Sequence, residues 1–380
     1  MEGPVRPVFT YTQQDFVHQV YRTGGEPEHS RFDLTLRSGW KEKMSRGLFR
    51  YHLGELETRL LPGEGDYVAQ LNIQRGIERR KPQEILSIKQ NFDPKLFNFN
   101  KINPEEVLFE MCSCGADPGS DDKGKSAETC HQNGLTTGSC MVIINVSPLE
   151  LGHSLLVPEP AQCHPQILTP LAVQVGIDSV FLSADPGYRV GFNSLGAFAS
   201  VNHLHLHGYY LNHTLRLEWA PTEPLVPEKC LYQLTGFPRA FMIYTEGQDP
   251  RVAATVTCKL TDILVDRNIA HNVFMSRGCP PSSNNSSSSS SEAVPSGLRR
   301  GVRICIWPRV SCFGAKEESA FNVALCELAG HLPFKNREDF KDIDEDGVKA
   351  IVQRYVFNDQ EFSDLQQEVV GQLCEVNGVK

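Results

Sequence analysis

Apolar positions recur along the chain with two different periods. An i, i+3, i+4 spacing predicts amphipathic helices over residues 13–21, 166–182, 252–265, 317–328 and 347–355. Short runs rich in β-branched and aromatic residues predict strands over 56–61, 67–73, 141–146, 154–157, 201–211, 240–244 and 302–307. The mixture implies an α+β fold of antiparallel sheets with packed helices. Two stretches carry neither period. Residues 279–298 (CPPSSNNSSSSSSEAVPSGL) hold too little apolar surface to offset the entropy of ordering, so they read as a disordered insert, and residues 115–128 (GADPGSDDKGKSAE) read as another. Apolar runs such as 141–144 fall far short of the ~20 residues a membrane helix needs, so no contact with a membrane is expected.

Size and charge narrow the picture. At ~150 residues per domain, 380 residues supply two to three domains' worth of core, enough for an enzyme. Lys and Arg number 37 against 46 Asp and Glu, and this net charge of −9 argues against binding the phosphate backbone of nucleic acids. An anionic small molecule remains possible where cations cluster. The opening residues lack the apolar core of a secretory signal, which predicts a reducing, cytoplasmic location. The 12 cysteines then read as thiols, scattered through apolar segments at Cys140, Cys258, Cys305 and Cys326, and the sequons at Asn145, Asn212 and Asn285 as chance matches.

Two familiar patterns lack their physical context. Residues 119–126, GSDDKGKS, spell a phosphate loop, but no buried strand precedes them and Asp121 and Asp122 stand where phosphate would sit. Asp342, Asp344, Asp346 and Gly347 start like a calcium loop, yet the twelfth position is Gln353 rather than a bidentate Glu; an acidic helix start is the simpler reading.

The informative segment is His203-Leu-His205-Leu-His207. Alternation with period two puts three imidazoles on one face of a strand and Leu204 and Leu206 on the other, toward a core. Three aligned rings suit plain packing poorly, because each needs hydrogen-bond partners. Two chemistries remain: a metal site of neutral imidazoles, or a nucleophilic histidine supported by its neighbours.

This segment resembles the signature of the histidine-triad superfamily, and residues 145–158, with Asn145 and the His153-Ser-Leu-Leu-Val-Pro run, resemble the strands before it. Residues 40–51, 82–85, 97–100, 194–199 and 203–211, with Trp307-Pro308-Arg309, are similar to the GDP-hexose phosphorylases, in particular the animal branch. The resemblance implies a duplicated histidine-triad-like fold: an N-terminal half, 1–218, with the active site, and a triad-less half, 219–380, in a monomeric pseudo-dimer or a homodimer. It implies a nucleotidyltransferase that converts GDP-D-glucose and inorganic phosphate to GDP and glucose 1-phosphate through a GMP adduct on His205, with no cofactor and no metal. His203, His207 and Ser200 would assist His205, and Asn145, His153 and Asn193 would bind substrate. Lys43, Arg46 and Arg50 are candidate phosphate-binding cations by clustering.

The chemistry is sound on its own terms. A neutral imidazole, pKa ~6.5, is nucleophilic without a separate base, and a main-chain carbonyl on Nδ1–H of His205 would turn Nε2 to the substrate. His207 could donate as neutral N–H or, as imidazolium, add charge that favours incoming phosphate. Plant relatives carry Gln at the His207 position, whereas the superfamily's hydrolases carry His. The alternatives are therefore a hydrolase releasing GMP, a zinc-dependent hydrolase and a non-catalytic guanine-nucleotide-binding regulator.

Overall fold

The computed structural model describes residues 6–22, 28–114, 138–247, 250–281, 297–313 and 319–375. The first half holds β1 (Val8–Tyr11), β2 (Val20–Tyr21), α1 (Arg31–Ser45), β3 (Glu57–Leu60), β4 (Val68–Leu71), α2 (Ile73–Ile77), β5 (Val107–Ser113), β6 (Ser139–Ile144), β7 (Ser154–Pro158), α3 (Pro170–Leu182), β8 (Tyr188–Asn193) and β9 (Leu206–Tyr210). The second holds β10 (Thr222–Val226), β11 (Leu231–Leu234), β12 (Ala240–Thr245), α4 (Pro250–Asp266), β13 (Ala270–Gly278), β14 (Leu298–Arg299), β15 (Gly301–Arg309), α5 (Leu325–Leu328), β16 (His331–Phe334), α6 (Arg337–Asp342), α7 (Glu345–Gln353) and α8 (Asp359–Glu375).

One sheet of 11 strands runs through both halves in the order β1-β5-β6-β7-β9-β8-β13-β15-β12-β11-β10. The first unit pairs as β5-β6-β7-β9-β8 with α3 between β7 and β8, and the second as β10-β11-β12-β15-β13 with α4 between β12 and β13. The two units have the same topology and join back to back through antiparallel β8 and β13, where Asn193 faces Asn272. The fold is thus a duplicated α+β unit. Within it β15 stands where β9 stands in the first copy, and residues 282–296, outside the described residues, precede it.

Both faces of the sheet are covered, so the central strands read as continuous apolar runs rather than alternating ones. Along β15, Val302, Ile304 and Ile306 enter the core beneath α1, α3, α4 and α8, while Cys305 and Trp307 face the other core, closed by the three-stranded sheet β16-β4-β3 and α5–α7. Helix α3 lies nearly submerged, capped by Thr169 and started by Pro170; a side chain at Gly176 would meet Met275 Sδ at 2.8 Å, so only glycine lets the helix settle on β13.

Several expectations are corrected. The helix over 13–21 is a single 3-10 turn, Gln13–Asp15, because Thr12 and Asp15 close a capping box and the Val17 N–H then bonds the Phe181 carbonyl. The helix over 317–328 shrinks to α5, since Phe321 and Val323 are buried from irregular chain; residues 317 and 318 lie outside the described residues. The strand over 201–211 begins only at Leu206. Helices α1 and α8 were not predicted, although Ser30 and Asp33 form a capping box ahead of Phe32, Leu36 and Trp40. Residues 115–128, with the phosphate-loop pattern, lie outside the described residues, as do 282–296 of the Ser-rich stretch. The ends of that stretch are bound: Cys279 N–H donates to Glu218 O at 2.7 Å, and Leu298–Arg299 pairs with β2. Asp344 caps α7 by accepting from Gly347 N–H at 2.8 Å, an acidic helix start. Cys140, Cys163, Cys230, Cys258, Cys279, Cys305, Cys312, Cys326 and Cys374 are thiols, and no described helix is long and apolar enough to cross a membrane.

Candidate active site

The three histidines lie where a buried loop enters β9. Leu204 and Leu206 point into the core under the helices, so alternation persists although regular strand starts one residue after His205. Gln166, itself buried, fastens this loop: its Oε1 accepts from His205 N–H at 2.9 Å, and its Nε2 donates to the carbonyls of His205 and Asn193, each at 3.0 Å.

His205 Nδ1 lies 2.7 Å from the His203 carbonyl. A carbonyl can only accept, so the proton sits on Nδ1 and the Nε2 lone pair is free toward the cavity that the ring lines. Burial holds the ring at about 4, against the opposing effect of that carbonyl, so it is neutral at pH 7. His203 turns its ring elsewhere. Its Nδ1 accepts from Phe99 N–H at 3.0 Å and its ring stacks on Phe99, 5.5 Å between centroids, so it supports His205 through its carbonyl and does not line the cavity.

His207 lies opposite Leu155 on β7 and Gly191 on β8. A second tautomer chain reaches it. Leu149 N–H donates to His153 Nδ1 at 2.7 Å, which leaves the proton on His153 Nε2, 3.1 Å from His207 Nδ1. His207 therefore accepts at Nδ1 and carries its own proton on Nε2. Burial pushes His207 and His153 well below the ordinary imidazole value, with His205 and Arg75 adding to the effect on His207. A ring so shifted is neutral at pH 7 and offers one N–H rather than a positive charge. Trp40 Nε1 donates to the His153 carbonyl at 3.1 Å, which explains the place of α1 in the site.

Asn145 lines the same cavity, its Oδ1 accepting from Ser147 N–H at 3.1 Å and its Nδ2 3.3 Å from His153 Nε2. Ser200 is exposed at the wall, and its carbonyl accepts from Gln83 N–H at 3.0 Å. Asn193 lines it too, but its Oδ1 is committed to Asn272 Nδ2 at 2.6 Å and Leu325 N–H at 3.0 Å, a tie between the halves. Among the described residues, His203, His205 and His207 belong to no group arranged to hold a metal ion.

The predicted cations do not reach the cavity. Lys43 is buried on α1, Arg46 is exposed and paired with Glu42 and Glu105, and Arg50 is exposed, its charge acting on Arg80 and Glu106 of the wall. Instead Arg75, Arg79, Arg80 and Lys335 line it. The first three belong to a basic run, Arg75-Gly-Ile-Glu-Arg79-Arg80-Lys81, which stands out in an acidic chain; nothing local marks Lys335. The cavity, of about 190 Å³, exceeds the ~15 Å³ one water needs by more than tenfold, so it is of ligand size. The C-terminal half supplies a wall, from Asn322 through Ala324 to Glu327 and from Pro333 to Lys335, so the site is not confined to residues 1–218.

The solved structure of yeast Ap4A phosphorylase bound to Ap4A aligns with this fold at a TM-score of 0.52 and 15% identity, over 87% of this chain and 99% of that one. The fold is therefore histidine-triad-like, in its duplicated form. Residues 31–209 match the GDPGP1-like N-terminal domain and residues 217–376 the GDPGP1-like C-terminal domain, and the chain belongs to this family. GDP-D-glucose phosphorylase 1 of Danio rerio is 57% identical over 96% of this chain and 98% of its own length, and that of Homo sapiens 45% over 97% and 92%. GDP-L-galactose phosphorylase 1 of Arabidopsis thaliana is 28% identical over 90% of this chain and 73% of its own.

Proposed function

We propose that the chain is a nucleotidyltransferase that splits GDP-D-glucose with inorganic phosphate into GDP and glucose 1-phosphate. Kinship with the GDP-D-glucose phosphorylases supports the substrates, and one observation carries the chemistry: a neutral His205 whose Nδ1 proton is held by a main-chain carbonyl while Nε2 is free in the cavity. In the first step Nε2 bonds to the α-phosphorus as the bond to the bridging oxygen breaks, and glucose 1-phosphate leaves with the electron pair. The positive ring that results is stabilised by the His203 carbonyl on Nδ1–H. Phosphate then attacks the same phosphorus, the P–Nε2 bond returns its electrons to His205, and GDP departs.

His207 Nε2–H and the Ser200 hydroxyl donate to the phosphoryl oxygens, and Asn145 holds the ribose hydroxyls. His153 fixes the His207 tautomer, Asn193 shapes the wall, and Lys43, Arg46 and Arg50 take no direct part. We divide the chain near residue 218 into a half that carries the nucleophile and a triad-less half that completes the cavity, and read it as cytoplasmic, a monomeric pseudo-dimer or a homodimer of such chains.

The test is a panel of nucleotide sugars with purified protein, with and without phosphate. GDP and glucose 1-phosphate should form from GDP-D-glucose only when phosphate is supplied. GMP as the main product at millimolar phosphate would instead establish the hydrolase, and binding without turnover the regulator.

A further inference from the structure

Arg79 and Lys335 come from opposite halves of the chain and line the same cavity as His205 and His207. Lys335 follows β16, which pairs in parallel with β4 and sets Phe334 beside Leu71; α2 begins two residues after Leu71, and Arg79 follows that helix. The two cations thus lie beyond the ends of adjoining strands of one small sheet. Gly76 lets them close up: a side chain there would meet Lys335 Cβ at 3.1 Å and Cγ at 3.2 Å, so the lysine stem lies directly over the turn that leads to Arg79. Each is half-buried, and each feels the other cations of the wall.

Such crowding of like charge is unfavourable without an anion. The neighbouring cations are already engaged, Arg75 with the Ser147 carbonyl and Arg80 over the Phe97 ring, 3.2 Å from its centroid. Arg79 has no hydrogen bond or ion pair among the described residues, and Lys335 Nζ there bonds Asn322 Oδ1 at 3.3 Å. Glu327 on the same wall attracts both, but its Oε2 accepts from Ala324 N–H at 2.9 Å and Cys326 Sγ at 3.1 Å, and burial raises its pKa. The pair is left as an open receptor for a small anion.

We propose that Arg79 and Lys335 form the acceptor-phosphate subsite and select phosphate over water in the second step; the inference rests on the phosphorylase reading above. In that step an oxygen of hydrogen phosphate bonds to the α-phosphorus, the P–Nε2 bond breaks with its electrons returning to His205, and the phosphate proton passes to solvent as the new β-phosphate ionises. Water attacking the same phosphorus gives GMP. Free phosphate is a dianion with no other handle, whereas the β-phosphate of GDP-glucose carries one charge and is tethered to a bound nucleoside. Loss of either cation therefore weakens phosphate more than the donor substrate.

Steady-state kinetics of Arg79→Gln and Lys335→Gln, with the GMP to GDP product ratio, tests this. The KM for phosphate should rise about tenfold or more while that for GDP-D-glucose changes less than about threefold, the share of GMP should grow, and Lys335→Arg should restore most of the loss. A phosphate KM within about twofold of wild type in both variants, with an unchanged product ratio, overturns the subsite. Wild-type protein that forms no GDP with phosphate present would overturn the phosphorylase reading itself, a distinct outcome.

Discussion

The Nδ1 of His205 is 2.7 Å from the carbonyl oxygen of His203, two residues earlier in the same buried loop. That one contact fixes the tautomer of the central histidine and aims its lone pair, while the His203 ring, held by Phe99, keeps the carbonyl in place. The first histidine thus serves the second through its backbone.

Replacing His205 by Ala should abolish formation of glucose 1-phosphate while leaving guanine-nucleotide affinity and the melting temperature near wild type. Nucleotide titration and turnover assays check both. A loss of turnover smaller than about tenfold, ~1.4 kcal/mol of barrier, would mean that another group attacks the phosphorus.

With the phosphate dianion held at a constant saturating concentration, kcat should be flat from about pH 7.5 to pH 5.5, since burial holds His205 at about 4 and a group already neutral at pH 7 does not titrate near the free imidazole value of ~6.5. Stability follows the same groups. His203, His205 and His271 are held at about 4 and His331 at about 3, chiefly by burial, so below pH ~6.5 the unfolded chain binds protons that the native state refuses. Unfolding free energy should therefore fall on acidification between pH ~6.5 and ~4, by up to ~1.4 kcal/mol per pH unit for each group. Denaturant titrations at pH 7 and pH 5 measure it; equal stability at both would contradict the buried, neutral assignment.

His207→Gln should retain phosphorolysis at a rate reduced by about tenfold or less, with the pH profile of the wild type, because a side-chain amide replaces one neutral N–H donor with another. His207→Phe, which donates nothing, should lose far more. Parallel pH–rate curves for the three proteins decide the matter, and an acid limb near pH 6.5 that disappears in the Gln variant would restore the imidazolium role.

Gln166→Leu should destabilise the protein by about 3 kcal/mol, since His205 N–H and two carbonyls lose their partner in a dry interior. Turnover should fall more than nucleotide affinity, because the loop that aims His205 loosens. Chemical denaturation with kcat and KM separates the two effects, and wild-type kcat in this variant would show that the loop holds itself.

Deleting residues 279–298 should cost several kcal/mol. The buried Arg303 guanidinium donates to the carbonyls of Cys279 at 2.7 Å and Pro280 at 3.2 Å, and each such charged bond is worth about 1.5–3 kcal/mol. Shortening only within 282–296 should alter the melting temperature little, as loop closure changes by about 1 kcal/mol or less. Calorimetry on both deletions compares them directly.

The sequence by itself determined the chemical core of this protein. Period-two alternation of His and Leu is a local signal, and it survives the chain's departure from regular strand because Leu204 and Leu206 are captured by the core whatever the backbone label. Long apolar periods such as α4 were legible for the same reason. Tertiary structure decided the rest. Only the meeting of β16 with β4 brings Lys335 to the cavity, only the fold of the Phe99 segment turns the His203 ring away, and the same packing leaves Lys43 and Arg46 outside despite their proximity in sequence to Trp40. Burial, which no short window of sequence measures, holds His207 neutral and so decides which protons the site can give.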